Sequence, residues 1–360
     1  MIDYQLKFIL IFLASFIVSL VLTKLVIKIA RRFNILDNPE LAERKIHQRS
    51  IPLLGGAAIY ATLLIIIIYL WSQGQLLDDR MSASLIVSFL LAGFVLLVNG
   101  FLDDKYSWPA KYTIWGPIIA AIIMLIGGLK IGYITNWQGG VLYLDQLFGS
   151  FINLSNILIA LLTFVWLLGM TYTTKFLDGI DGLASGIGLI ASLVIFIVSL
   201  SWDVVGSTTS LLALALAGAC LGFLVWNWHP AKIFLGESGS TLIGFTLGVL
   251  AVISGSKIAT ALLVMGLPIL DALWVIIWRL KRRQPIWRGD SQHLHFRLLS
   301  VGLSQRQVVL FIGFVSLLFG LVSIFFTTKA KLSALIFLFI LMFILTGWLK
   351  FKLKSNEQVN

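Results

Sequence analysis

One cysteine, Cys220, is all the chain has, which excludes an intramolecular disulfide and a cysteine-ligated metal cluster. Charge is equally scarce. Asp, Glu, Lys and Arg make up 12% of the 360 residues, well below the roughly 25% of soluble domains. Walker A, GxSxG and dinucleotide-binding motifs are all missing, so ATP-driven pumping and serine hydrolysis lack their usual machinery. Histidine occurs four times only. No internal repeat, low-complexity tract or linker divides the chain, and one membrane domain over 1–360 is expected.

What is abundant is apolar sequence: 59% of the residues are hydrophobic, and the mean hydropathy is +0.98. A helix needs about 20 apolar residues to cross a bilayer. By that measure an all-α polytopic membrane protein of about 11 transmembrane helices is expected, over approximately 5–28, 51–71, 82–101, 112–128, 153–172, 184–201, 208–227, 239–254, 259–279, 307–327 and 332–350. The first span lacks a cationic leader and a small-residue cleavage site, and reads as an uncleaved anchor. Arg31, Arg32, Arg44, Lys45 and Arg49 follow it, and Lys281, Arg282, Arg283, Arg288, Arg297 and Arg306 follow the ninth. The opposite side has only Arg80, Lys130, Lys257, Lys329 and Lys331. This asymmetry predicts the N-terminus outside and the C-terminus cytosolic. Residues 129–152 would then be external, with a short hairpin over the outer surface. The net charge of +11 fits positive-inside loops and anionic substrates; no basic RNA-binding pattern or soluble domain is present, so nucleic acid is not expected as a partner.

The polar residues fall in five groups, each beside the start of a helix predicted to run outward from the cytosol. They are Lys45 and His47; Asp103 and Asp104; Lys175, Asp178 and Asp181; Lys232 and Glu237 with Ser238 and Ser240; and Asp290, His293, His295 and Arg297. Charge at membrane depth costs at least ~2.5 kcal/mol per group, so it faces a cavity or lies at the water boundary. Helix N-termini bring unpaired N–H groups and partial positive charge, which suit a polyanion such as a nucleotide diphosphate. Asp178-Gly-Ile-Asp181-Gly is the centre of this pattern; capping of the next helix is the plainer alternative, which one aspartate serves more often than two with a lysine. Asp103 and Asp104 diverge by about 100° on a helix and would split roles, one toward a metal or nucleophile and one toward a lysine; an ion pair with Lys105 or Lys111 is the plainer alternative. Phe234, one turn before Glu237, could stack a base or simply touch lipid or core. His293 and His295 lie beside Arg297, which suits phosphate better than zinc. His229 reads as a membrane-interface residue. Hard oxygen donors with phosphates expected point to Mg²⁺.

Together these residues resemble the polyprenyl-phosphate N-acetylhexosamine-1-phosphate transferase superfamily, of glycosyltransferase family 4 type, and most closely its bacterial undecaprenyl-phosphate GlcNAc-1-phosphate branch. The pieces are Asp37-Asn-Pro39 with Arg44-Lys45-Ile-His47 and Pro52-Leu-Leu-Gly55-Gly56; Gly100-Phe-Leu-Asp103-Asp104; Asp178-Gly-Ile-Asp181-Gly-Leu; Phe234-Leu-Gly236-Glu237-Ser-Gly239-Ser240; and Asp290-Ser-Gln-His293-Leu-His295. The resemblance implies attack by undecaprenyl phosphate on the sugar-linked phosphorus of a UDP-N-acetylhexosamine, with UMP leaving, at the cytosolic face of the plasma membrane. It implies catalytic roles for Asp103, Asp104, Asp178, Asp181 and His293. Substrate binding would fall to Lys45, His47, Lys175, Phe234, His295 and Arg297, and the metal, Mg²⁺ with Mn²⁺ as a substitute, to Glu237 and Asp178. A homodimer is compatible with it.

Three positions depart from that pattern, and at the first two, Lys175 and Glu237, the family usually has Asn and Asp. Lys175 is therefore expected to supply fixed positive charge, paired with Glu237 or with the diphosphate. Phe296 stands where the branch often has another histidine, and His-Leu-His-Phe differs from the three consecutive histidines typical of the phospho-MurNAc-pentapeptide transferases, the alternative within the superfamily. A transporter or lipid flippase, the alternative outside it, would place ionisable groups at the bilayer midplane and show repeat symmetry.

Overall fold

The computed structural model describes residues 2–38, 49–78, 81–136, 138, 140–147, 152–202, 206–255, 257–285 and 291–359. In chain order, α1 (Ile2–Arg32) leads to the short pair β1 (Leu36–Asp37) and β2 (Ile51–Pro52), then α2 (Gly55–Ser72), α3 (Ala83–Tyr106), α4 (Ala110–Thr113) and α5 (Trp115–Ile126). The hairpin β3 (Tyr133–Thr135) and β4 (Val141–Tyr143) follows, with α6 (Leu144–Leu147), α7 (Ile152–Leu177), α8 (Leu183–Trp202), α9 (Thr208–Asn227) and α10 (Gly236–Ile253). The chain closes with α11 (Ile258–Val264), α12 (Gly266–Lys281), α13 (Leu294–Ser300), α14 (Gln305–Phe325) and α15 (Thr328–Val359).

Lipid offers no water to the backbone, so each long apolar run closes its own hydrogen bonds as a helix. Nine helices among the described residues are long and apolar enough to cross a bilayer, or ten if the bent pair α11 and α12 forms one span. The protein is thus all-α and multi-pass. Two of the expected spans differ from plain crossings. Segment 112–128 falls in the shorter apolar stretch Ala110–Ile126, about 25 Å of helix at 1.5 Å per residue, against a core of about 30 Å. Segment 259–279 is bent by 77° at Met265. Pro268 lies in the first turn of α12 and has no N–H for the carbonyl of Val264, so α11 cannot run through it. The expected hairpin is present: β3 and β4 pair antiparallel, Tyr133 opposite Tyr143 and Thr135 opposite Val141.

The bundle is organised around α10. Of its most apolar stretch 89% is buried, against 22% for α1 and for α15, so the first and last helices spend most of their surface on lipid. α10 packs against α2, α3, α7, α8 and α9. Small residues let these helices approach closely. At Gly100 on α3, a Cβ would overlap the backbone of Ser238, so only glycine permits the crossing of α3 over the start of α10. The strand before α2 fixes the other side. Phe234 donates its N–H to the Pro52 carbonyl (2.9 Å), while Gly55 and Gly56 donate to the carbonyls of Phe234 and Leu235 (3.0 Å each).

Candidate active site

The first turn of α10 is where the acidic groups meet. Asp104, one residue beyond Asp103 at the end of α3, reaches across so that Oδ1 accepts from the Glu237 N–H at 2.9 Å. It thus caps a helix other than its own, satisfying one of the donors that every helix N-terminus leaves over. Its neighbour Gly236 has φ +71°, and a Cβ there would collide with the Asp104 carboxylate; only glycine meets both conditions. Asp104 was expected to face a lysine. Instead Lys105 lies over the rings of Phe101 and Tyr106, and Lys111 over Tyr112. The second oxygen of Asp104, Oδ2, is buried with no hydrogen-bond partner.

Capped in this way, α10 directs the Glu237 side chain to Lys175 near the end of α7. Nζ and Oε1 are 2.6 Å apart, with the ammonium also 5.5 Å from the centre of the Tyr172 ring. Asp103 feels both members of this pair. Asp178, just past α7, is pushed up to about 8, by burial first and then by the charges of Glu237 and Asp181. Four carboxylates and one ammonium therefore share a small volume in which negative charge is in excess.

Asp181 serves the loop between α9 and α10 rather than the start of α8. Its Oδ2 accepts from the Ala231 N–H (3.0 Å) and meets His229 Nδ1 at 2.7 Å. His229, just past the end of α9, also takes part in the wall, and Arg306 donates twice to its carbonyl. Asn227 completes the join: its Oδ1 accepts from the Gly182 N–H and the Ser185 hydroxyl, and its Nδ2 donates to the Ile233 carbonyl.

The imidazoles arrive from the other side. The His293 ring stacks on Phe176 (centroids 5.5 Å apart) and on His295 (5.8 Å). His295 Nε2 lies against Gly179, buried and without a partner; burial first and His293 second lower its pKa to about 3, so this ring is neutral. Arg297 turns one N–H to the Thr346 carbonyl of α15 (2.9 Å). Phe234 is half-buried at the crossing with the segment before α2. Lys45, His47 and Asp290 lie outside the described residues.

The structure thus gathers Asp103, Asp104, Lys175, Asp178 and Glu237, with His293 and His295 joined to them through Phe176 and Gly179. Asn227, His229 and Asp271 were missed as partners. Asp271 had a signal: it is a lone acid inside an apolar run, which by itself marks a residue with a job.

The donor set suits a hard divalent cation. Carboxylate oxygens predominate, one buried oxygen lacks a partner, and burial, with the charges of Glu237 and Asp181, raises Asp178 toward a protonated form that a cation would oppose. Among the described residues no three acidic or imidazole groups surround one point. Mg²⁺ needs no such cage, since it commonly takes one or two carboxylates plus substrate phosphates and waters.

Comparison with known proteins agrees with this geometry. The family profile described as Glycosyl transferase family 4 matches residues 86–255. A Bacillus subtilis protein named probable undecaprenyl-phosphate N-acetylglucosaminyl 1-phosphate transferase is 30% identical over 347 residues, covering 94% of this chain and 90% of its own. The chain belongs to glycosyl transferase family 4. Its relatives in that family include a decaprenyl-phosphate N-acetylglucosaminephosphotransferase of Mycobacterium leprae, 33% identical over 83% of this chain and 79% of the relative. A phospho-N-acetylmuramoyl-pentapeptide-transferase of Halalkalibacterium halodurans is 27% identical over 86% and 94%. Within the matched stretch of the family 4 profile lie Asp103, Asp104, Lys175, Asp178, Asp181 and Glu237.

Proposed function

We propose that the protein transfers N-acetylglucosamine 1-phosphate from the UDP-sugar to undecaprenyl phosphate. An oxygen of the lipid phosphate forms a bond to the sugar-linked phosphorus, the bond from that phosphorus to the bridging oxygen breaks, and UMP leaves with the electron pair. The lipid-linked sugar diphosphate stays in the membrane. The observation that carries this reading is the Lys175–Glu237 contact at 2.6 Å with Asp103 and Asp178 around it, in a chain whose relatives are named for that transfer.

Phosphoryl transfer of this kind needs little beyond positioning and charge neutralisation. Asp103, at the end of α3, orients or deprotonates the lipid phosphate. Lys175 stands against the diphosphate, and Phe234 offers a face to uracil. Glu237 and Asp178 would hold Mg²⁺, which supplies charge neutralisation on the phosphate oxygens when bound. Eleven crossings with the N-terminus outside would put this cluster at the cytosolic face of a bacterial plasma membrane, beside the arginine-rich segments. A second copy of the chain is compatible with the exposed apolar faces of α1 and α15.

Membranes containing the protein, given undecaprenyl phosphate and either labelled UDP-GlcNAc or UDP-MurNAc-pentapeptide, test it. Labelled lipid is expected from UDP-GlcNAc alone. Label from the pentapeptide donor alone moves the protein to the muramyl branch, and label from neither refutes the transferase reading.

A further inference from the structure

Asp271 has no role in the scheme above, yet its surroundings demand one. It lies on α12, 6% exposed, beside a small and mostly apolar pocket walled by Leu177, Leu267, Pro268, Leu294, Ile312 and His295. A carboxylate among such side chains is costly unless each oxygen finds a donor. Both do. Oδ1 accepts from the Leu294 N–H at 2.8 Å, and Oδ2 meets His293 Nδ1 at 2.8 Å. The first bond is another cap given across helices, here to α13. The second fixes a proton: a carboxylate only accepts, so Nδ1 carries the hydrogen, and Nε2, away from Asp271, is the nitrogen left for a lone pair. The ring also stacks on Phe176 and on His295. Phe176 stands between Lys175 and the Asp178 loop, and His295 touches Gly179 of that loop. His293 is thus held in one orientation, with Nδ1–H turned to Asp271, next to the loop that carries Asp178.

We propose that Asp271 is a positioning residue for the transfer, acting through His293: it presents Nε2 as an acceptor for an oxygen-bound proton of the substrates. This rests on the transferase reading and adds to it a residue and a direction of hydrogen bonding. Asp271→Asn separates the two bonds. The Asn carbonyl can still accept from Leu294, keeping the cap, whereas its NH₂ must donate to Nδ1 and so forces the proton onto Nε2.

The test uses the full chain in nanodiscs, with ¹⁵N-histidine NMR, thermal unfolding and the labelled-lipid assay. The four histidines keep the spectrum readable, and the signal lost in His293→Ala assigns the ring. The wild type should show His293 protonated on Nδ1, and Asp271→Asn should show it protonated on Nε2. That variant should lose about 100-fold in kcat, the lower end of general acid–base contributions, with little change in unfolding temperature. In the His293→Ala background Asp271→Asn should cost nothing further. Independent, multiplying losses in the double variant would overturn the proposal, as would an unchanged kcat in folded Asp271→Asn. An Nε2-protonated ring in the wild type would overturn it too. Failure of the wild type to label lipid from either donor is a distinct result: it refutes the transferase reading whatever the spectrum shows.

Discussion

Asp104 Oδ1 and the Glu237 N–H, 133 residues apart in sequence, are joined at 2.9 Å, so the end of α3 caps the start of α10. Losing a cap typically costs ~1 kcal/mol. Asp104→Ala should lower stability by about 1–2 kcal/mol and cut turnover, because Glu237 loses its fixed origin. Asp104→Asn keeps an acceptor and should hold the unfolding temperature near wild type. Thermal unfolding in one detergent, with turnover measured on the same preparations, checks both.

Lys175 holds Glu237 at 2.6 Å, with the two side chains 25% and 8% exposed. Breaking a fully buried pair costs about 3–5 kcal/mol. Solvent at the lysine reduces that here to about 1–2 kcal/mol. In Lys175→Asn the acidic cluster loses its internal cation and Glu237 is freed from its ion pair, so turnover should fall while half-maximal activity should need less magnesium. Initial rates across a magnesium titration give the answer; full activity at an unchanged optimum would remove Lys175 from the charge balance.

Gly100 has the Ser238 backbone where a side chain would begin. Gly100→Val should separate α3 from α10, destabilise the fold by about 2 kcal/mol or more and abolish activity. Gly74, with open space around it and φ +67°, makes the contrast: Gly74→Asn should cost well under 1 kcal/mol, since Asn tolerates that backbone region. Unfolding temperatures of the two variants, compared side by side, test the packing.

His295 supplies a pH dependence. Its pKa is lowered from 6.5 to about 3, so the unfolded chain binds a proton that the folded chain refuses. Its contribution to stability is complete above about 6.5 and drains away as pH falls toward 3, by about 1.4 kcal/mol per pH unit. Between pH 6.5 and 5 the wild type should therefore lose stability faster than His295→Gln. Unfolding midpoints for both proteins across that range measure the difference in slope.

Much of the fold was legible in the apolar runs, because a helix in lipid needs only length and hydropathy. The hairpin at 133–143 was legible as well. The runs at 112–128 and 259–279 looked like their neighbours in composition. One proved shorter than a bilayer core and the other bends where Pro268 cannot accept a helix from before it. In the site, the charged positions stood out against an apolar background, but their partners did not. Asp104 went to a backbone N–H rather than to Lys105 or Lys111. Asp181 went to His229 and Ala231, and Asp271, though conspicuous as a lone acid in an apolar run, gave no sign that its partner would be His293.

Sequence alone determined that this is a multi-pass helical membrane protein, and which acids, lysines and histidines stand at the ends of its helices. Helical period relates a residue only to its own axis, so it cannot say which neighbouring helix a side chain will meet. Which carboxylate pairs with Lys175, which caps α10 and which holds His293 were decided by close crossings at glycines such as Gly100 and by the bend at Met265, and these exist only once the bundle has packed.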